Sequence, residues 1–127
     1  MSASDYLENK LLDHTLGSSA FSQPSNLYIG LSTGTFADAN SGTELSGNGY
    51  ARKQVTFGTA SSGSITNSGA VEFDTATGTQ GSISHFGIFD ASSGGNLLFH
   101  GSFTSAKTIE NGDQFKIPAS SLTVSID

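Results

Sequence analysis

Ser82 to Thr104 reads SISHFGIFDASSGGNLLFHGSFT, and the fold turns on how this stretch is read. Two apolar and aromatic runs, HFGIF and NLLFHGSF, flank the turn-forming cluster Asp90-Ala91-Ser92-Ser93-Gly94-Gly95-Asn96. That is the pattern of two antiparallel strands joined by a loop. The stretch holds Phe86, Phe89, Phe99 and Phe103, four of the nine phenylalanines, so much of the area removed from water on folding belongs here. Residues 82–104 are therefore expected to form the central hairpin. Matching apolar groups across the strands places Phe89 near Leu97 and Ile83 near Phe103. Gly87 and Gly101 then leave room for a ring or a neighbouring backbone.

Working outward, Ala106 to Ile109 leads through Asn111-Gly112, a tight-turn dipeptide, into Phe115 and Ile117, with Pro118 closing that strand. Leu122, Val124 and Ile126 continue with a period of two. Upstream, Val71 and Phe73 alternate around Glu72, SSGSITNSG is a turn-rich link containing Ile65, and Lys53, Val55 and Phe57 alternate. Leu27, Ile29 and Leu31 predict a strand over about Asn26 to Ser32. Between them, residues 33–50 (TGTFADANSGTELSGNGY) contain four glycines and almost no periodicity, and a loop of this length in a small domain is expected to be an arm for a partner.

A helix is expected over 3–16, capped by Ser2 or Ser4, with Asp5 and Glu8 near its positive end and Gly17 just past its C-terminus. Leu7, Leu11, Leu12 and Leu16 form one apolar stripe that needs a surface, either its own sheets or another subunit. Seven or eight short strands with turn signals between them predict an all-β chain: a single β-sandwich or jelly-roll-like domain over residues 1–127 with one short N-terminal helix.

Composition narrows the function classes. The absence of cysteine removes a thiol nucleophile, a CxxC redox pair and a cysteine-based zinc site, and 127 residues suffice for a core without disulfides. A formal charge of −6 with five Lys and Arg opposes phosphate backbones and anionic lipid, so neither nucleic acid nor a membrane is expected as partner. The N-terminal stretch has no signal-peptide pattern, and no run approaches the roughly 20 apolar residues of a span, which points to a cytoplasm-like setting.

Candidate chemistry is sparse. In one hairpin register His85 and His100 would lie opposite, with Asp90 or Glu72 completing a metal site, but the better apolar match places them apart. They read as half-buried, hydrogen-bonded strand histidines, and His14 as a helix-end residue. Asp38, Asn40 and Glu44 resemble a calcium loop superficially, yet the glycine falls one place early and the distal acid is missing. There is no GxSxG elbow, no glycine-rich strand-to-helix junction and no carboxylate pair set apart for acid and base work. No enzyme, cofactor or metal is expected. Arg52 and Lys53, after Tyr50, are a rare basic spot, readable as a solvated strand edge or as an ion pair to a neighbouring subunit anchored by Tyr50. The candidate partner contacts are thus Leu7, Leu11, Leu12, Tyr50, Arg52 and Lys53.

Several segments in order, YLENKLLDH, LYIGLST, GTELSGNGYARKQVTFG, SITNSGAVEFDTATG, SHFGIFDASSGGNLLFHGSF and LTVSID, resemble a family of small tailed-bacteriophage structural proteins whose members are often labelled tail-fibre-like, with GGNLLFHG and GYAR the most specific parts. The resemblance implies a β-rich virion component, assembled in the bacterial host cytoplasm and without enzymatic activity. A fibre normally needs a shaft, whereas a capsid cement (decoration) protein needs only a sandwich, a grip and a soluble outer face. The expectation therefore leans to a cement protein binding the assembled capsid or other virion proteins, with a tail-fibre or tail-tip module for host attachment as the alternative. Likeness to cement proteins implies a homo-oligomer, with a trimer favoured.

Overall fold

Apolar alternation builds the framework around the hairpin. The computed structural model describes residues 1–126. β1 (Ser2–Ala3) and α1 (Asp5–Thr15) are followed by β2 (Leu27–Ser32), β3 (Lys53–Val55), β4 (Ser64–Thr66) and β5 (Val71–Glu72). Then come β6 (Gly81–Phe89), β7 (Leu97–Ile109), β8 (Lys116–Ile117) and β9 (Thr123–Ser125). One five-stranded sheet runs in the order β1-β7-β6-β2-β3, while β4 pairs with β9 and β5 with β8 in two ribbons, and every pairing is antiparallel. The chain is all-β with one short helix, its second layer divided into two ribbons.

The core lies between sheet and ribbons. Ile29, Leu31, Ile83, Phe86, Ile88 and Ile109 of the sheet meet Val71, Ile117, Leu122 and Val124 of the ribbons and their flanks, all buried. A file of aromatic rings runs through it: Tyr50 stacks on Phe73 at 6.3 Å, Phe73 meets Phe115 edge-on at 5.8 Å, and Phe103 bridges Phe115 (5.3 Å) and Phe86 (5.2 Å). Offset and edge-on contacts of this kind suit the ring quadrupoles.

The β6–β7 hairpin sets Phe89 opposite Leu97 as expected, but Ile83 lies opposite Lys107 rather than near Phe103. The pairing jumps there: Ser84 alone on β6 faces Phe103, Thr104, Ser105 and Ala106 on β7. Phe103 leaves the ladder to pack on Phe86 and Phe115, so ring burial overrides regular register. Gly87 and Gly101 make the expected room. A Cβ on Gly87 would stand 2.9 Å from both the Phe89 ring and Leu97, and one on Gly101 would stand 3.2 Å from the Phe86 ring and 3.3 Å from the Met1 backbone.

Other expectations shift. The SSGSITNSG link contains a strand, β4, because Ile65 pairs with Val124. Asn111-Gly112 turns the chain out of β7 without making a hairpin, since β8 pairs with β5 and Ile109 with Gly81. Within that link Asn67 is fully buried. Its side chain donates to Gly69 O (2.8 Å) and Pro118 O (3.0 Å) and accepts from Leu122 N–H (2.9 Å), fastening β4 to the segment that enters β9. Ile126 is mostly exposed beyond β9.

The N-terminus also differs from the single helix expected over 3–16. Ser2 and Ala3 pair with His100 and Phe99 as a short strand, and only then does buried Ser4 cap α1. Its hydroxyl accepts from Leu7 N–H (3.2 Å) and donates to Leu97 O, while its own N–H donates to Leu98 O (2.8 Å). One residue thus ends a strand, starts a helix and ties both to β7. Gly17 does not take up the left-handed conformation of a glycine C-cap.

Candidate functional site

The sheet face turned away from the core carries the chain's polar lacing. Gly30 of β2 lies opposite Gly87 of β6, and this side-chain-free floor lets the Phe89 ring lie flat across both strands. A Cβ on Gly30 would stand 2.8 Å from Glu44 Oε2 and 3.1 Å from both Phe89 and the Tyr50 hydroxyl. Phe36, brought over by the loop 33–50, meets Phe89 edge-on at 5.7 Å, and with Leu97 they form a second small core.

Arg52 sits over this ring, its guanidinium carbon 3.5 Å from the Phe89 centroid. Its Nε and Nη2 donate to the two oxygens of Glu44 (2.9 and 2.7 Å) in a bidentate pair, and Nη1 donates to Ala91 O (2.8 Å) and Gly94 O (2.9 Å). The long loop and the tip of the hairpin are thereby joined through one side chain, which is only 8% exposed. The planar fork makes this possible, because carboxylate and carbonyls are met in one plane while the cation's face rests on an aromatic ring.

Tyr50 completes the cluster. Past Lys53, β2 has no neighbour on its β3 side, and the loop supplies one: Leu31 N–H donates to the Tyr50 hydroxyl (3.0 Å) and Leu45 N–H to Leu31 O (2.9 Å). The Tyr50 hydroxyl itself donates to Glu44 Oε2. Burial, followed by this hydrogen bond to a carboxylate, holds the phenol well above its ordinary ionisation range.

Further ties fix the rest of the loop. His100 Nε2 lies 2.6 Å from Asp38 Oδ1, and Asp5 N–H donates to Asp38 O (3.0 Å), so loop, helix start and β7 meet. Asp90 closes the hairpin tip by accepting from Asn96 N–H (2.7 Å) and Asn96 Nδ2 (2.9 Å), with Gly94 and Gly95 left-handed between them. His85 lies opposite Ser102 and His100 opposite Gly87, Asp90 is bound to Asn96 and Glu72 faces Lys116, so these four are not gathered into one site. Among the described residues no group of three or more metal-ligating side chains converges.

The six candidate partner contacts thus fall into separate places. Leu7 is buried under α1, Leu11 is half-buried, and Leu12 is 56% exposed, next to Leu16 at 82%. Tyr50 and Arg52 meet in the cluster around Glu44, whereas Lys53 forms a more open pair with Asp74 (2.8 Å). Sequence reasoning did not find Glu44, Asp38 or Asn67 as fastening residues. The available signals were an acid eight residues before the arginine and an asparagine preceding Ser-Gly.

A two-layer β domain whose loops are laced together by its own ionic and polar side chains defines a small structural scaffold. The family model described as Gp80, Podophage GP4 fiber I protein gp80, matches residues 2–125, and the chain belongs to that family. It is a bacteriophage virion structural protein. No curated protein matches the chain.

Proposed function

We propose that this chain is a structural component of a podophage tail fibre, held in the virion by other virion proteins and by copies of itself, and without catalytic activity. The observation that carries the reading is the fibre-family match over residues 2–125. It favours the tail-fibre alternative over the capsid cement role to which the shaft argument leans. The fold is compatible with such duty: ties from Arg52, Tyr50 and His100 make the loop 33–50 part of a rigid body, and rigid presentation lowers the ordering cost of docking. The exposed end of α1, with Leu12 and Leu16 outermost, supplies an apolar surface for a neighbouring virion protein or subunit.

Immunogold electron microscopy of virions and isolated tail-less heads, with an antibody against this chain, tests the reading. Label confined to the tail is expected. Label spread over the heads would overturn it in favour of a cement role.

A further inference from the structure

The chain has five basic residues, and three of them have partners: Arg52 is paired with Glu44, Lys53 with Asp74, and Lys10 lies over the Tyr6 ring. The other two, Lys107 and Lys116, form no salt bridge among the described residues, and both border one cleft of about 270 Å³ between β7 and residues 115–122. From this cleft we infer a docking site for an extended acidic segment of a neighbouring virion protein, seated by one large apolar side chain between carboxylates. The inference rests on the proposed function, which supplies the neighbours, and adds the chemistry of one of them.

The walls select that chemistry. Phe103, Phe115, Ile117 and Leu122 give the cleft an apolar lining. Its volume falls just below the roughly 300–1,000 Å³ of small-molecule sites, so it suits one side chain rather than a whole ligand. Both lysines are exposed: Lys107 ends the bulged stretch of β7, and Lys116 stands opposite Glu72 without an ion pair to it. Carboxylates on either side of an apolar anchor meet one ammonium each, which fixes register as well as adding attraction. The exposed hydroxyls of Thr104, Ser105 and Ser121 offer donors and acceptors to the backbone of the incoming segment. Past His100 the β1 side of β7 has no strand neighbour among the described residues, which leaves an open edge for that segment to follow.

Competing occupants fit less well. A second copy offering its own β7 edge meets the bulge opposite Ser84, which interrupts a regular ladder, and a two-fold contact brings like-charged lysines together. A polyanion such as nucleic acid needs a wide positive field. Here two cations stand on a chain of −6, so their attraction reaches little beyond the Debye length of roughly 10 Å. One or two carboxylates in contact need no more.

The test is zero-length carbodiimide cross-linking of intact virions, with the joined residues identified by mass spectrometry. Lys53 and Asp74, already in contact at 2.8 Å, should join within the chain and show that the reaction works. Lys107 or Lys116 should join an aspartate or glutamate beside a large apolar residue of another virion protein, and virions carrying Lys107→Gln with Lys116→Gln should lose that product. A peptide copying the joined segment should move the amides of Thr104, Ser105 and Ser121 in the isotope-labelled full chain. Alanine in place of its apolar residue should weaken binding by about tenfold. Links from these lysines only to copies of this chain, only to Glu72, or to nothing while Lys53 joins Asp74 would each overturn the site, as would undiminished binding by the alanine peptide. A link to a head protein, with immunogold label on heads, removes the fibre reading and leaves the site standing. Tail-confined label without the link removes the site and leaves the fibre reading.

Discussion

The Arg52 guanidinium reaches a carboxylate, two carbonyls and an aromatic face at once, which a lysine ammonium cannot do because its donors do not lie in a plane. Removing it strands the Glu44 carboxylate and the Ala91 and Gly94 carbonyls. Arg52→Met is therefore expected to destabilise the fold by about 3 kcal/mol in urea unfolding. Arg52→Lys should recover only a small part of this, and full recovery by lysine would show that charge alone matters. In the sequence, Arg52 is legible as a basic spot beside Tyr50 but not as a clamp. Its partners come from a glycine-rich loop and a hairpin tip with no periodicity to place them. Asn67 was hidden in the same way: a polar residue in a turn-rich link reads as solvated, yet all its side-chain hydrogen bonds are made inside the fold.

Among the elements, α1 illustrates how a short helix holds without a full partner. Eleven residues are marginal alone in water, and only Leu7 of the stripe is buried, which contributes about 1.5–3 kcal/mol. The rest of its order comes from the Ser4 cap and from β1 lying on β7. Ser4→Ala should lower stability by about 1 kcal/mol and speed amide exchange at Leu7. Unchanged exchange there would mean that β1, not the cap, holds the helix. The stripe was legible and the cap was narrowed to Ser2 or Ser4, since both rest on local spacing. The strand before the cap was not, because two residues paired across more than ninety positions leave no periodic trace.

For the whole molecule, Tyr50 links loop lacing and aromatic core, and its ionisation gives stability a pH dependence. In the unfolded chain the phenol loses its proton near pH 10, whereas burial and the Glu44 hydrogen bond make the folded state keep it. The stability this provides is complete below about pH 10 and is lost as pH rises above it, because unfolding then releases a proton. The melting temperature should fall with pH in that range, and Tyr50→Phe, although less stable at neutral pH, should show a shallower fall. An equally steep fall in the variant would assign the effect elsewhere.

What the sequence by itself determined is the class of fold: period-two alternation, turn residues at the hairpin tip and one capped apolar stripe prescribe a β domain with a short helix, because each is a local pattern that few residues suffice to express. The Phe89–Leu97 pairing followed from apolar matching alone. Only the tertiary structure decided that Phe103 leaves its ladder for the ring file and that β5 takes β8 as its partner. It likewise decided that the long loop folds onto its own sheet under Arg52. These outcomes depend on filling one shared core and satisfying polar groups far apart in the chain, and such requirements act only once the layers have met.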